Sequence, residues 1–451
     1  DRAALRQALQ LADVLIDALL GTGVDRPIEG ILADILRDVR HVLRSRQADR
    51  ADTLTYVGSQ IGQIKKDTPS VAPLVVAVDV PSGVNCDTGA ADPVTLPADL
   101  TITFAAAKQG QFRFPAAQVL GQLAVADIGI PEELSAEIQT EVAIHPQVAE
   151  RLPARPPDAH KGTFGKAMIV AGSANYVGAA CLSAAAAGRI GAGLVTLAAP
   201  STLHAILAQS VAEATHLLLP QNMGALAPSA IKVLADHLEG YASLLIGPGL
   251  GQATETALFV QQLFGIESER RARQIGFQRS AEMPPEALSL PPTVIDADAL
   301  NALACVHEWW RHLPENCVLT PHPGEMGRLV GAEPQAINED RIATAAQQAA
   351  SWQQVVVLKG AFTVVAAPDG QTTVVPFSTA ALSTAGTGDV LAGAIAGLLA
   401  QGLSPYDAAL CGAYLHGLAG ILLEEEVGDA GTVAGDLLPL LPRAIQRVRS
   451  Q

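Results

Sequence analysis

The stretch Ser383–Asp389, reading Ser-Thr-Ala-Gly-Thr-Gly-Asp, leads directly into the apolar run Val390–Ile395. A glycine-rich turn that opens an apolar helix offers unpaired backbone N–H groups and the positive end of the helix dipole. This arrangement suits an anion such as a transferring phosphoryl group. Asp389 falls in the first helical turn, where a carboxylate stays ionised and can accept a proton. A tight turn with a stabilising acidic residue is the alternative, and the motif alone does not exclude it.

Two strand ends upstream of this turn also carry polar groups. Val355–Leu358 is an apolar run that ends in Lys359 and Gly360. A cation at this position neutralises phosphate charge during transfer, although a lone surface lysine is the alternative. A second strand is followed by Thr-Pro-His-Pro-Gly-Glu at 320–325, where two prolines fix the loop and aim His322 toward a polar ligand. A helix-entry turn would look similar.

Two further strand ends complete the pattern. Ile246–Gly251, reading Ile-Gly-Pro-Gly-Leu-Gly, permits close approach of the backbone to a ligand, or forms only a turn. Val294–Asn301 places the carboxylates Asp296 and Asp298 at a strand end. Paired carboxylates there can bind Mg²⁺ or orient a water molecule. Capping the following helix is the alternative role.

Short apolar runs alternate with Ala- and Leu-rich helical stretches along the chain. The expected strands are Val14–Leu20, Leu74–Val80, Leu100–Phe104, Ala167–Ala171, Leu194–Ala198, Leu244–Gly247, Thr293–Asp296, Val318–Thr320, Val355–Leu358 and Thr363–Ala366. Such alternation is typical of βαβ units and a largely parallel sheet, in which ligands lie at the carboxyl ends of strands. We therefore predict an α/β protein.

A length of 451 residues predicts two domains. The segment 141–159 contains four prolines and no apolar periodicity, which indicates a linker between domains at 1–140 and 160–451. The polar segments 41–73 and 265–292 interrupt the alternation and are interpreted as surface insertions.

The formal net charge of −16 argues against a nucleic-acid or anionic-membrane partner. Five scattered cysteines argue against disulfide and zinc frameworks and favour a reducing compartment. No apolar run reaches the ~20 residues of a membrane helix. We expect a cytoplasmic protein with small-molecule partners, and a homo-oligomer.

Taken together, the C-terminal motifs resemble the ADP/ATP-dependent NAD(P)H-hydrate dehydratases of the ribokinase-like superfamily. The start of the domain agrees, through His160–Lys166, Ala171–Ser173, Gly178–Ala180 and Arg189–Leu194. The resemblance implies a ribokinase-like α/β/α fold with Mg²⁺. It also implies that a hydroxyl on carbon 6 of a hydrated NADH or NADPH is phosphorylated from ADP or ATP, after which phosphate leaves. This sequence departs from the family pattern at Pro376–Leu382, where family members often have a stretch rich in Asn and Gly.

The resemblance also assigns roles to residues. Asp389 is expected to be the catalytic base. The nucleotide is expected to contact Lys359, Gly360, Ala361, Phe362, Thr363, Gly386, Thr387 and Gly388. The hydrated cofactor is expected to contact Ala179, Gly249, His322 and Asp389.

The first 140 residues resemble the NAD(P)H-hydrate epimerase domain, often fused in front of the dehydratase, and are expected to form a Rossmann-like remnant. Val14–Val24 and Val75–Val84 each read as a strand with polar groups at its end. In that family Asp17 and Ser82 would bind potassium. The hydrated cofactor would contact Gly21, Thr22, Gly23, Val24, Asp25, Arg26, Pro27 and Asp79. The family's Asn-Asn-Gly-Gly-Asp-Gly loop belongs upstream of Asp1. If the chain is the whole protein, its epimerase activity is doubtful; if it is a fragment, the complete protein is expected to be bifunctional.

Two other functions fit parts of the sequence. A ribokinase-like vitamin or sugar kinase would share the Gly-Thr-Gly-Asp turn and its base, whereas the Thr-Pro-His-Pro-Gly-Glu segment favours the dehydratase. A non-catalytic scaffold would have no need of Asp389, Lys359 and His322.

Overall fold

The computed structural model of the chain describes residues 2–51, 73–135, 138–266 and 288–450. The chain divides into two compact units, Asp1–Glu137 and Ile138–Gln451. This division lies just before the boundary at residue 140 that the sequence predicts. Of the two expected insertions, residues 52–72 and 267–287 lie outside the described residues. Residues 41–51 were wrongly assigned to the first insertion, because they end the helix Gly30–Ala51 and Val42 packs in the core.

The first unit is built on a four-stranded parallel sheet in the order β1-β2-β3-β4. Its strands are β1 Val14–Asp17, β2 Leu74–Val78, β3 Leu100–Phe104 and β4 Gln122–Ala126, and its helices are α1 Arg2–Leu11 and α2 Gly30–Ala51. Leu15 and Val75 pack into the core on one face of the sheet, whereas Val14, Ile16 and Leu74 are exposed on the other. Within the described residues, only one face of this sheet is covered.

The second unit contains a ten-stranded sheet in the order β5-β16-β15-β14-β13-β12-β11-β6-β7-β8. These strands are β5 Thr140–Val142, β6 Lys166–Val170, β7 Leu194–Pro200, β8 Thr215–Leu219, β11 Ser243–Ile246, β12 Thr293–Ile295, β13 Cys317–Leu319, β14 Val355–Leu358, β15 Val364–Ala366 and β16 Thr372–Val374, and the short pair β9 Gln221–Asn222 and β10 Ala225–Leu226 lies outside the sheet. The run from β14 to β8 is parallel, and β15 pairs antiparallel with both neighbours. The predicted α/β class is confirmed, and each expected strand overlaps an observed one.

Helices cover the larger sheet. They are α3 His145–Arg151, α4 Val177–Arg189, α5 His204–Ser210, α6 Ala230–Ala235, α7 Thr254–Leu263, α8 Ala297–Leu303, α9 Pro323–Val330, α10 Pro334–Glu339, α11 Arg341–Trp352, α12 Thr387–Ala400, α13 Pro405–Val427, α14 Ala434–Leu437 and α15 Leu440–Ser450. Helices α4 and α12 pack so closely that a Cβ at Gly393 would lie 2.1 Å from the carbonyl oxygen of Ser183. Glycine is therefore required there, and the contact fixes the helix that carries the glycine-rich turn.

The segment 141–159, interpreted from the sequence as a linker, contains regular structure. Its first residues belong to β5, which pairs with β16 at the edge of the large sheet, and α3 follows. Val148 of α3 is fully buried in the core of the second unit. Its prolines led to the prediction of an irregular linker, but its few apolar residues are sufficient to pack the segment against the core of the second unit.

One helix in the described part of the chain, α13, is long and apolar enough to cross a membrane by length and composition, and 83% of its most apolar window is buried within the protein. The helix begins at Pro405 after Ser404, whose Oγ accepts the N–H of Asp407 at 3.1 Å. Its apolar residues pack in the core of the second unit.

Candidate active site

The carboxyl ends of β12, β13 and β14 bring a lysine into a group of carboxylates. Lys359 Nζ donates to Asp296 Oδ1 at 2.7 Å and lies 3.6 Å from Glu325 Oε2. Thr320 Oγ1 donates to the same Asp296 oxygen at 2.6 Å. Burial opposes the charge of Lys359, but attraction by Asp296, Glu325 and Asp389 outweighs it and raises the pKa of Lys359. The lysine therefore stays charged.

The glycine-rich turn lies beside this lysine. Gly386 precedes α12 with φ of 95°, a conformation that favours glycine. Within the described residues, no acceptor is recorded for the backbone N–H of Thr387, Gly388 or Asp389, the first residues of α12. A Cβ at Gly388 would lie 3.4 Å from Lys359 Nζ. An ammonium thus lies beside a helix start with three free N–H groups, and these are groups that can hold an anion.

Asp389 is not held ionised in the first turn of α12, contrary to the expectation from the sequence. Burial, together with repulsion from Asp296, Asp298 and Glu325, outweighs attraction by Lys359 and raises its pKa to about 7. A carboxylate with a pKa near the working pH is suited to accept and release a proton. The geometry therefore puts a carboxylate that is able to accept a proton in the glycine-rich turn.

His322 caps helix α9. Its Nδ1 accepts the N–H of Gly324 at 3.0 Å, and Glu325 Oε2 accepts the N–H of His322 at 2.8 Å, which forms a reciprocal capping box. Burial and the nearby cations Lys359 and Arg328 outweigh attraction by Glu325 and lower the pKa of His322. The helix-entry role left open by the sequence is thus present, and because Nδ1 is an acceptor, the ring proton of the neutral form lies on Nε2.

The predicted nucleotide residues Lys359–Thr363 form the turn between β14 and β15. Thr363 Oγ1 donates to the carbonyl of Gly360 at 2.9 Å, which closes the turn. Ala361 is exposed and Phe362 has φ of 54°. Lys359 begins this turn, and the start of α12 lies beside Lys359. The residues expected to contact the nucleotide therefore lie on one edge of the sheet.

Arg341 is a charged residue at this turn that the sequence did not reveal. Its Nη2 donates to the carbonyl of Leu358 at 2.9 Å, and its Nη1 lies 2.6 Å from the position that a Cβ of Gly360 would occupy. Burial lowers its pKa to about 10. Arg341 thereby supports the strand end that carries Lys359. No local motif marks it, since it lies on another helix.

His416 also escaped sequence interpretation. It is buried on α13, and its Nε2 donates to the carbonyl of Thr387 at 2.9 Å. Burial lowers its pKa to about 4, so the ring is neutral at physiological pH. His416 thus holds the first turn of α12 through a hydrogen bond from α13. A histidine within an apolar helix carries no pattern that would reveal this contact.

Ala179 and Gly249 meet at another part of the site. A Cβ at Gly249, where φ is 61°, would lie 2.7 Å from Ala179 Cβ. The adjoining Gly251 donates its N–H to Asp298 Oδ2 at 2.8 Å. Gly251 also lines a cavity of about 320 Å³ that is bounded by residues around Tyr176. The two small residues expected to contact the hydrated cofactor therefore lie together, next to Tyr176 of the cavity lining.

In the first unit, the two expected potassium ligands contact each other. Ser82 Oγ donates to Asp17 Oδ1 at 2.6 Å, and the Ser82 N–H donates to Asp17 Oδ2 at 2.8 Å. Both residues are buried. The Leu20 N–H donates to Ser82 Oγ at 2.9 Å, so the serine also fixes the start of the loop 21–27. The sequence separation of 65 residues is bridged because β1 and β2 are neighbours.

The remaining expected residues of the first unit lie in that loop and after β2. Gly21, Thr22, Gly23, Asp25, Arg26 and Pro27 are exposed, and Val24 is partly buried. Asp79, with φ of 67°, accepts a hydrogen bond from Lys108 Nζ at 2.6 Å. Burial opposes ionisation of Asp79, but hydrogen bonds from Lys108 and from the Phe104 N–H outweigh it and lower the pKa of Asp79.

Comparisons with known proteins show the family to which the chain belongs. A family model described as NAD(P)H-hydrate dehydratase matches residues 167–443. The chain belongs to this family. A second model, described as the YjeF-related protein N-terminus, matches residues 1–110. The bifunctional NAD(P)H-hydrate repair enzyme Nnr of Moorella thermoacetica is 38% identical over 447 residues, which cover 98% of this chain and 75% of that protein.

Solved structures support the same family. The ADP/ATP-dependent NAD(P)H-hydrate dehydratase of Bacillus subtilis, co-crystallised with ATP and Mg²⁺, is 30% identical with a TM-score of 0.56 and covers 69% of this chain and 99% of its own. A ribokinase-like superfamily protein of Enterococcus faecalis is 24% identical with a TM-score of 0.56 and covers 70% of this chain and 98% of its own, which supports the fold alone. The resemblance to the dehydratases and the ribokinase-like fold are confirmed.

Proposed function

We propose that the second unit dehydrates hydrated NADH or NADPH, with ADP or ATP as phosphoryl donor. The observation that carries the proposal is the contiguity of Asp389, with a pKa of about 7, the free N–H groups at 387–389 and Lys359. Membership of the NAD(P)H-hydrate dehydratase family supplies the substrate class.

The proposed reaction has two steps. In the first, the hydroxyl oxygen on carbon 6 of the nicotinamide ring attacks the terminal phosphorus of the nucleotide, Asp389 takes the hydroxyl proton, and the bond to the departing nucleotide breaks. The N–H groups of Gly388 and its neighbours stabilise negative charge on the transferring phosphoryl group. In the second, the C–O bond breaks and its electron pair leaves with the phosphate, while carbon 5 gives up a proton to water and the C5–H electron pair forms the ring double bond. The nucleotide is consumed because phosphate is a better leaving group than hydroxide.

The carboxylates of Asp296 and Asp298 are suited to bind a Mg²⁺ ion that is also bound by the phosphates of a nucleotide. No described group of three His, Cys, Asp or Glu residues is arranged to hold a metal ion. Mg²⁺, however, is usually bound by one or two carboxylates together with substrate phosphates. Asp296 Oδ2 has no hydrogen-bond partner among the described residues, and Asp298 lies close by. Asp296 and Asp298 would hold the ion, which when bound neutralises phosphate charge.

A direct assay tests this function. Protein is incubated with hydrated NADH, Mg²⁺ and either ADP or ATP, and the absorbance of the reduced nicotinamide ring is followed. Return of that absorbance only when nucleotide is present supports dehydration. Equal rates with and without nucleotide would overturn it. We expect ADP to give the higher kcat/KM, and the opposite order would change the donor without changing the reaction class.

We further propose that the first unit takes part in interconverting the R and S hydrates and that Asp17 and Ser82 bind potassium. The two side chains supply adjacent hard oxygens, and Ser82 Oγ keeps one lone pair after donating to Asp17 and accepting from Leu20. Further oxygen ligands must complete the shell. A rise in the thermal midpoint of the wild-type protein in KCl relative to LiCl, absent from Ser82→Ala, supports this site. No difference between the salts would overturn it.

The same proposal covers the setting in which the protein acts. A net charge of −16 supports small molecules rather than nucleic acids as partners. We expect a cytoplasmic homo-oligomer. Light scattering of the purified chain measures the oligomeric state, and a monomeric mass at micromolar concentration would contradict this expectation.

A further inference from the structure

Arg328 is a cation at the candidate active site with one free edge. It lies on α9, and its Nε donates to Asn301 Oδ1 at 2.9 Å. The residue is exposed. Among the described residues, none accepts a hydrogen bond from Nη1 or Nη2 of Arg328 or forms an ion pair with it. The guanidinium is therefore anchored on one side and available on the other.

Asn301, which accepts the hydrogen bond from Arg328 Nε, is itself held by a series of hydrogen bonds. The N–H of Gly251 donates to Asp298 Oδ2 at 2.8 Å, and Asn301 Nδ2 donates to Asp298 Oδ1 at 3.3 Å. Because the amide nitrogen of Asn301 is directed to Asp298, its oxygen is directed to Arg328. Asp298 thus orients Arg328 without neutralising it directly. Holding an arginine side chain in one conformation costs up to about 2 kcal/mol of rotamer entropy, which a ligand-binding role would justify.

The position of Arg328 relates it to the site. His322, Glu325 and Arg328 are spaced by three residues and lie along one side of α9. Arg328 Nη1 lies 4.0 Å from the position that a Cβ of Gly324 would occupy, so the side chain is directed back along the helix toward His322. Its charge contributes to the lowered pKa of His322, after burial. The free edge is thus close to the residue expected to contact the hydrated cofactor.

The charge balance of the site indicates what this edge binds. Asp296, Glu325 and Asp389 surround Lys359, and two of them already engage it. A hydrated dinucleotide carries a diphosphate, which these carboxylates repel. The planar fork of a guanidinium matches phosphate oxygens and binds them through two parallel hydrogen bonds. We propose that Nη1 and Nη2 of Arg328 bind the diphosphate of the hydrated dinucleotide, an inference that rests on the proposed dehydratase function.

The test separates the two substrates. Arg328→Gln is expected to raise KM for hydrated NADH roughly tenfold or more, which is the size expected for loss of hydrogen bonds to a charged group, while kcat and KM for ADP change little. Arg328→Lys retains the charge but not the forked pair of N–H groups, so its KM for hydrated NADH is expected to lie between those of the wild type and Arg328→Gln. Arg311→Gln is the matched control, because Arg311 is exposed and paired with Glu308 at 2.8 Å. Equal thermal midpoints of the variants exclude a folding defect.

The outcomes are distinct. An unchanged KM for hydrated NADH in Arg328→Gln, with the wild type active, overturns the assignment of Arg328 and leaves the dehydratase function standing. A raised KM for ADP with an unchanged KM for the hydrate assigns Arg328 to the donor diphosphate and also overturns it. A wild-type protein that neither binds nor dehydrates hydrated NADH overturns the proposed function itself. Weaker binding of hydrated NADH by Arg328→Gln without nucleotide, measured by equilibrium dialysis, supports the inference independently of turnover.

Discussion

Each unit places a lysine against an aspartate at the carboxyl ends of parallel strands. Lys359 Nζ lies 2.7 Å from Asp296 Oδ1 in the second unit, and Lys108 Nζ lies 2.6 Å from Asp79 Oδ1 in the first. The two contacts are nearly identical in length, but their surroundings differ. The side chain of Asp296 is 1% exposed, whereas that of Asp79 is 18% exposed.

The surroundings decide what a nearby carboxylate can do. Lys108 donates to Asp79 within a local group that also includes Thr103 and the Phe104 carbonyl, so the aspartate is held ionised. Lys359 is engaged by Asp296 and Glu325, whereas Asp389 is half-buried, has no recorded ion-pair partner among the described residues and has a pKa of about 7. A carboxylate bonded to lysine is a poor proton acceptor, whereas one excluded from that bond is a good one. The comparison therefore favours Asp389 as the proposed base.

Replacing the proposed base tests this comparison most strongly. Asp389→Asn is expected to lower kcat for dehydration by roughly 10²–10⁴-fold, the usual cost of removing a general base, while hydrated NADH still binds. Turnover is measured by reduced-nicotinamide absorbance and binding by equilibrium dialysis. Glu425→Gln, at an exposed carboxylate with no recorded hydrogen bond, is the control. Near-wild-type turnover of Asp389→Asn would remove Asp389 from the mechanism.

The sequence predicted the parts of this site that depend on local pattern. Apolar runs located β14, and the glycine-rich turn placed Asp389 in the first turn of a helix, which is α12. It did not reveal that Lys359 engages Asp296, because that contact depends on the order β14-β13-β12 in the sheet. Arg341 and His416 reach the site from other helices, and tertiary packing alone brings them there. The roles assigned to the predicted residues remain predictions.

Removal of the buried lysine is expected to have the next largest effect. Lys359→Met leaves Asp296 buried without its cation, and removing one partner of a buried ion pair costs about 3–5 kcal/mol of unfolding free energy. It also removes the attraction that lowers the pKa of Asp389, so any residual activity should have a pH profile shifted upward. Urea denaturation followed by circular dichroism measures the first effect. Lys232→Met, at an exposed lysine, is the control, and equal stability of both variants would contradict a buried pair.

The raised pKa of Asp389 also predicts a stability effect with a definite sign. Its pKa rises from the ordinary 3.8 to about 7 on folding, so ionised Asp389 destabilises the native state above pH 7, and this penalty disappears below the ordinary value. Asp389→Asn should therefore be more stable than wild type at pH 8, on the order of 1–3 kcal/mol, with the difference shrinking as pH falls to 4. Urea unfolding at both pH values measures it. A less stable variant at pH 8 would mean that the carboxylate is stabilised where it lies.

The smallest effect is expected at the other lysine. Lys108 Nζ donates to Asp79 Oδ1, Thr103 Oγ1 and the Phe104 carbonyl, and 22% of its side chain is exposed. After Lys108→Met, Asp79 still accepts from Thr103 and from the Phe104 N–H, and water can reach it, so the loss should be about 1 kcal/mol. Since the pKa of Asp79 is lowered in the folded state, the pair stabilises above the ordinary carboxyl pKa of 3.8 and its contribution is lost as pH falls below it. The difference between Lys108→Met and wild type should therefore be present at pH 7 and smaller at pH 3. A loss at pH 7 as large as that of Lys359→Met would show that contact length, rather than burial, sets the strength of both pairs.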